Sequence, residues 1–234
     1  RLAGNLALTP ETILLTANIA DARAGELRVR AATLRAQGPL DAIATSFDLR
    51  GRLRQAPLAF AGTATVNLDE QTASIEGRGT LADAPIYSRA PLAIDWSEPH
   101  TRAAANVAVG NGVVLAQWEE RGRALSGSAQ IEDAPLAPLA AIWGERATGR
   151  IDGRISLSSS GGGLTGSADL RLDDARVSGR QRGALDMHIL GSLTPGRLTS
   201  VVDATSESGL VAHIEADAPV ETSTAPLRIA LARE

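Results

Sequence analysis

Apolar and polar residues alternate one by one on both sides of a glycine-rich break between Thr148 and Asp173. Ile151, Gly153, Ile155 and Leu157 fall on one side of the alternation, with Arg150, Asp152, Arg154 and Ser156 on the other. The pattern resumes as Leu164, Gly166, Ala168, Leu170 and Leu172 against Thr165, Ser167, Asp169 and Arg171. A period of two predicts strands with one dry and one wet face, and Ser158 to Gly163 supplies the reversal between them. Charge selects the register. Pairing Leu157 with Leu164 would set Asp152 opposite Asp169 and Arg150 opposite Arg171, which directly facing strands disfavour. A slide of two residues keeps both faces. It places Arg154 opposite Asp169, Asp152 opposite Arg171, and each mid-strand glycine beneath a leucine, a way of curving a sheet without leaving a hole.

A near copy of this hairpin occupies residues 45–69. Leu49-Arg-Gly51-Arg-Leu53 corresponds to Ile151-Asp-Gly153-Arg-Ile155, and Phe60-Ala-Gly62-Thr-Ala64-Thr-Val66-Asn-Leu68-Asp69 to Leu164 through Asp173. It is an internal repeat. Its turn is expected at Arg54 to Pro57, with Leu53 facing Leu58, Phe60 over Gly51 and Leu49 over Gly62. A second repeated element is Asp-Ala-Pro, at Asp83, Asp133 and Asp217, with a degenerate copy at Asp174-Ala175. Its turn chemistry reads as punctuation that ends strands.

The same alternation predicts strands along the rest of the chain. The first run through Leu2 to Leu8 and Thr12 to Ile19, broken at Thr9-Pro10, and then through Leu27, Val29 and Ala31. Pro10-Glu11 resembles a helix start, but Ile13, Leu15, Ala17 and Ile19 keep period two and favour strand. Further strands follow around Leu92 to Trp96, Ala103 to Val109 and Val113 to Trp118, the last after an Asn111-Gly112 turn. Leu125 to Ile131, Leu185 to Leu193, Leu198 to Ala204, Leu210 to Ala216 and Leu227 to Leu231 complete the series. One short helix is expected at 135–143, with Leu136, Leu139, Ala140 and Trp143 on one face and Gly144 to stop it. It reads as a plug on one end or edge of the sheet. No linker interrupts the pattern, so residues 1–234 form a single continuous unit. The predicted class is all-β, a long, curved, mainly antiparallel sheet forming an open groove.

Composition shapes the dry face more than the chemistry. Hydrophobic residues are 44% of the chain but aromatics only 3%, so Leu, Ile, Val, Ala and Gly must line it. The net charge of −4 argues against a nucleic-acid partner. All basic residues are Arg, which reads as a coding bias. The absence of cysteine excludes disulfides and thiol chemistry and is compatible with an oxidising compartment. No apolar stretch approaches a membrane span. The start at Arg1, with no signal peptide, is expected of an internal piece of a longer protein.

Catalytic patterns fail one by one. His100, His188 and His213 lack metal spacing, and the latter two sit on polar faces. No Gly-x-Ser-x-Gly occurs. Gly77-Arg-Gly79-Thr-Leu-Ala82 matches a dinucleotide fingerprint as text, but Asp83-Ala84-Pro85 stands where its helix should open. Glu119-Glu120 and Asp173-Asp174 flank turns without the aromatic platforms of a sugar cleft. The expectation is therefore no enzyme, no metal and no cofactor.

The Leu-x-Gly-x-Leu strands, the Asp-Ala-Pro-Leu ends, and the Leu-Ala-Pro-Leu-Ala-Ala-Ile-Trp-Gly helix before a Gly-Arg-Ile-Asp-Gly strand resemble bacterial TamB/AsmA-like proteins, from about Leu34 to Arg233. The resemblance implies a β-sheet curled into an open groove, held in the periplasm by an inner-membrane anchor. It further implies an outer-membrane barrel of the TamA type as partner of the parent protein, with phospholipid movement between membranes or support of outer-membrane assembly. On that reading acyl chains would lie against Leu49, Leu53, Leu58, Phe60, Val66, Leu68, Ile151, Ile155, Leu157, Leu164, Leu170 and Leu172, in a trough on the order of 70 Å long at roughly 4.8 Å per strand. The competing reading is a structural or adhesive sandwich or solenoid whose dry face is fully packed.

Overall fold

The computed structural model describes residues 2–8, 12–122, 124–159, 163–177, 183–224 and 227–231. Sixteen strands pair in chain order as one antiparallel meander. The first five are β1 (Leu2–Leu8), β2 (Thr12–Ala24), β3 (Leu27–Pro39), β4 (Ile43–Leu53) and β5 (Ala56–Asn67). The middle of the sheet is β6 (Thr72–Leu81), β7 (Ala84–Asp95), β8 (His100–Val109), β9 (Gly112–Arg121) and β10 (Ala124–Pro135), after which comes the helix α1 (Leu136–Ile142). The remainder is β11 (Ala147–Ser159), β12 (Leu164–Val177), β13 (Leu185–Thr194), β14 (Arg197–Ser206), β15 (Gly209–Thr224) and β16 (Leu227–Leu231). The sheet is open, not closed into a barrel, as the alternation predicted. The Thr9-Pro10 break and the centre of the Ser158–Gly163 turn lie outside the described residues.

Register follows charge where charge is present. In the β11–β12 hairpin Arg154 faces Asp169, Asp152 faces Arg171, Leu157 faces Gly166 and Gly153 faces Leu170. In the β4–β5 hairpin the register is two residues from the expected one: Leu53 faces Ala56, Gly51 faces Leu58 and Leu49 faces Phe60. No charge decides there, because Arg50 and Arg52 face Ala59 and Pro57. Aromatic contact decides instead. The tighter turn at Arg54-Gln55 brings Phe47 diagonal to Phe60, and their rings stack with centroids 5.9 Å apart, an arrangement worth more than the area it buries. The Arg52 guanidinium ties that turn by donating to the Gln55 carbonyl at 2.8 Å.

Other departures come from bulges. Ala31 leaves the dry face because the β3–β4 ladder shifts between Val29 and Ala31. The strand expected from Leu92 begins at Ala84 and is interrupted by shifts that break its alternation. The turn expected at Asn111-Gly112 falls on Gly110-Asn111, with Gly110 at φ +60°. Asp-Ala-Pro does punctuate at Asp83, in a two-residue turn, and at Asp133, in a bulge just before α1. At Asp217 it does not: β15 continues to Thr224, and Pro219 instead marks where pairing passes from β14 to β16. A proline only has to avoid donating to a ladder, and a change of partner strand satisfies that as well as a strand end does.

Helix α1 closes one end of the curled sheet. It packs on β11 and reaches back to β5, and the Gln55 N–H donates to the Ile142 carbonyl at 3.3 Å. Since β5 and β11 are six strand spacings apart along the sheet, roughly 29 Å, a seven-residue helix can touch both only if the sheet bends between them. On the α1 side of the sheet Ala56, Leu81, Val109, Ala134 and Ile151 are buried, as is Pro138 of the helix. The expected plug is present, except that Trp143 is 65% exposed and lies under the Arg54 guanidinium, 5.4 Å from the ring centroid, rather than joining the packed face. At the opposite end Leu125, Leu164, Leu193 and Val220 form a core with Trp118, Leu157 and Leu198 against it. There the sheet rolls tightly enough for β12 to meet β15.

Candidate functional site: an apolar trough

Between these two closed ends the dry face is uncovered. Two adjoining cavities, of about 680 and 360 Å³, lie along it. The lining residues of the larger fall in runs centred on Ala73, Ile94, Ala103, Trp118 and Gly127, which are dry-face positions of β6 to β10. The smaller continues over Ala105, Ala116, Ala129, Ile155 and Leu157. Width comes from side-chain size. Ala105, Ala116 and Ala129 stand side by side across three strands, and short side chains leave room where Leu would fill it. Trp118 leans over Gly127, where an added Cβ would come within 3.0 Å of its ring, so the one large group of the floor lies flat against the sheet.

The rim of the larger cavity is charged in both signs. Asp95 faces Arg102, and Arg102 donates to Glu119 at 3.1 Å. Asp95 also accepts from the Ser97 hydroxyl at 2.6 Å and the Ser97 N–H at 2.9 Å. The hydroxyl contact is the main cause of a carboxyl held below its ordinary range.

Exposure places the sequence-predicted residues. Leu49, Leu53, Leu58, Phe60 and Val66 are half-buried on the dry face of β4 and β5. Leu68 lies beyond β5 in the turn and is 43% exposed. Leu157, Leu170 and Leu172 are half-buried, and Ile155 is 40% exposed within the trough. Ile151 at 8% and Leu164 at 0% are enclosed, the first toward the α1 end of the sheet and the second in the opposite core. Neither offers a wall to a guest. Ile155 and Leu157 are the predicted residues that line the smaller cavity, and none lines the larger; the centre of the trough, Ile94 to Ala129, was not among them. Its sequence signal is the recurrence of alanine at dry positions of successive strands.

No group of His, Asp and Glu capable of holding a metal occurs among the described residues. His188 bonds Asp169 at 2.8 Å on the wet face. His213 lies between Asp203 at 2.5 Å and Glu215 at 3.2 Å, also outside the trough. Among the described residues no helix is long and apolar enough to cross a membrane. No protein-family model, curated protein or solved structure matches the chain.

Proposed function

We propose that the chain is a segment of a periplasmic bridge of the TamB/AsmA-like kind, carrying phospholipid acyl chains along its dry face. The observation that carries this reading is the exposure of that face. Among the described residues, only Ile43, Leu81, Leu125, Ile151, Leu164 and Leu193 are buried hydrophobics larger than valine. The accessible surface is 15000 Å², against about 10,000 Å² for a compact monomer of this mass. An apolar sheet face left in water is unfavourable by roughly 25 cal/mol per Å², and an acyl chain would relieve that cost. The apolar floor with a rim of mixed charge matches a lipid with a zwitterionic headgroup at the water boundary. Moving a chain from bilayer to trough exchanges one apolar surface for another, so the wall need only be uniform for the lipid to slide. Anchoring in an inner membrane, a barrel partner and the direction of transfer belong to the parent protein on this proposal.

The competing structural role would have the dry face packed, as it is at the two ends; the uncovered middle supports the trough reading instead. Organic extraction of the purified chain followed by lipid mass spectrometry tests the proposal. Phospholipid is expected at about one molecule or more per chain, and Ile155→Asp should lose most of it. Because Ile155 is 40% exposed, the variant should fold, as circular dichroism would show. A lipid-free wild type, or equal lipid in the variant, would count against the reading.

A further inference from the structure

On the wet face of β8 to β12 four arginines stand opposite acids. Arg154 faces Asp169, Arg171 faces Asp152, Arg150 faces Asp173 and Arg102 faces Glu119. The opposite arrangement occurs at β2, β3 and β4. There Arg23 faces Arg28, and Arg28 in turn faces Arg52. Directly opposed like charges destabilise a sheet, and this row sets three of them in line.

The flanking groups do not neutralise the row. Arg23 Nε donates to the Gly25 carbonyl at 3.1 Å and Arg52 to the Gln55 carbonyl at 2.8 Å. Both contacts orient a guanidinium without cancelling its charge. Arg28, between them, has no acidic partner among the described residues. Two acids border the row: Asp21, which shares an adjoining cavity with Arg23, Arg28 and Arg52, and Glu26, which is 3.5 Å from Arg54, itself over Trp143. Asp21 apart, these side chains line one cavity of about 500 Å³ at the α1 end of the sheet.

We infer that this cavity is a binding site for a phosphate group, separate from the trough. Guanidinium groups present planar pairs of donors that match phosphate oxygens bidentately, and a row of three held at cross-strand spacing can share one anion. Phosphate neutralises the repulsion that the register imposes, and the exposed Trp143 ring beside Arg54 gives an apolar shoulder to whatever carries the phosphate. Two sources share this chemistry: a soluble phosphate and the headgroup of an anionic phospholipid in a membrane surface. The site's position at the rim, on a chain whose net charge is −4, makes it a local reversal of sign.

The test uses the whole chain with two probes. Binding to vesicles of phosphatidylcholine with and without phosphatidylglycerol is measured by co-sedimentation, and inorganic phosphate is titrated against Trp143 indole resonances. The proposal expects saturable binding to at least one probe, weakened about tenfold by Arg28→Gln and further by Arg28→Gln with Arg52→Gln. Binding to phosphatidylglycerol vesicles alone identifies a headgroup; binding to inorganic phosphate identifies a soluble source. Without any anion the Arg28→Gln chain should melt at a higher temperature than wild type, since a repulsion has been removed, which also shows that it folds. Absence of binding to both probes, or binding unchanged in the double variant, overturns the proposal. Lipid recovered by organic extraction should be the same in these variants and wild type, so the fate of the trough reading is decided independently.

Discussion

His213 shows how single residues on the wet face are held between acids. It stands directly opposite Asp203 across β14 and β15 and two positions from Glu215 on its own strand. The Asp203 hydrogen bond first, then that of Glu215, raises its pKa above 6.5. Since the folded value is the higher one, proton binding favours the folded state. That contribution is complete below pH 6.5 and is lost as pH rises through the raised folded value. The ring is solvent-exposed, so the consequence for stability is small, and proton NMR is the sensitive measurement. The His213 ring resonances should titrate above 6.5, and Asp203→Asn should move the midpoint down. A midpoint indifferent to Asp203 would refute the pairing. The same local logic runs in reverse at Asp217, whose carboxyl is lowered by its hydrogen bond to Arg197.

At the scale of strands, the repeated Asp-Ala unit is a bending device. Asp133 and Asp174 both sit in register shifts with positive φ, +49° and +51°. In both, the bulged N–H donates to an aspartate on the next strand: Asp133 to Asp152 at 2.8 Å and Asp174 to Asp186 at 3.0 Å. The alanine that follows is buried, Ala134 at 0% and Ala175 at 3%. Bulges leave one residue unpaired and sharpen twist, and Asp tolerates the left-handed region better than most side chains. Asp133→Ala should therefore cost about 1 kcal/mol, while Asp133→Asn and Asp133→Gly should cost less, as chemical denaturation would record. Equal losses in all three would mean that the ion pair Asp133 makes with Arg150, at 2.7 Å, not the backbone, is what matters; that exposed pair is expected to contribute little. These elements also show what the sequence could reveal. Alternation is a local property, so strands, faces and the β11–β12 register were legible from residues within a few positions of one another. The β4–β5 register was not, because it turns on a Phe47–Phe60 contact between side chains with no pattern of their own. The trough centre was equally hidden: Ala105, Ala116 and Ala129 acquire meaning only once their strands lie side by side.

The whole molecule is nearly one-dimensional. Each strand touches its neighbours in the sheet, and the more extensive of the longer contacts among the described residues are those of α1 with β5 and of β12 with β15. In such an array stability is the sum of local units and their interfaces rather than of one shared core, and regions with fewer buried contacts open at lower free energy. The two closed ends hold five of the six larger buried side chains, Leu81 and Ile151 toward α1 and Leu125, Leu164 and Leu193 in the opposite core, with Ile43 the sixth. Strands β7 to β9 run between them under an uncovered apolar face, and β7 carries two register shifts that weaken its ladder. Amide hydrogen exchange should therefore be graded. Protection should be greatest in β12 and β13, where Leu164 and Leu193 pack, and lowest among interior strands in β7 and β8. A guest covering the trough would add contacts to those same strands, so addition of phospholipid should raise protection in β7 to β9 and leave β13 unchanged. Uniform protection along the sheet would contradict the one-dimensional account. Graded protection insensitive to lipid would keep that account and remove the guest. Exchange thus separates what the architecture does by itself from what a cargo would add to it.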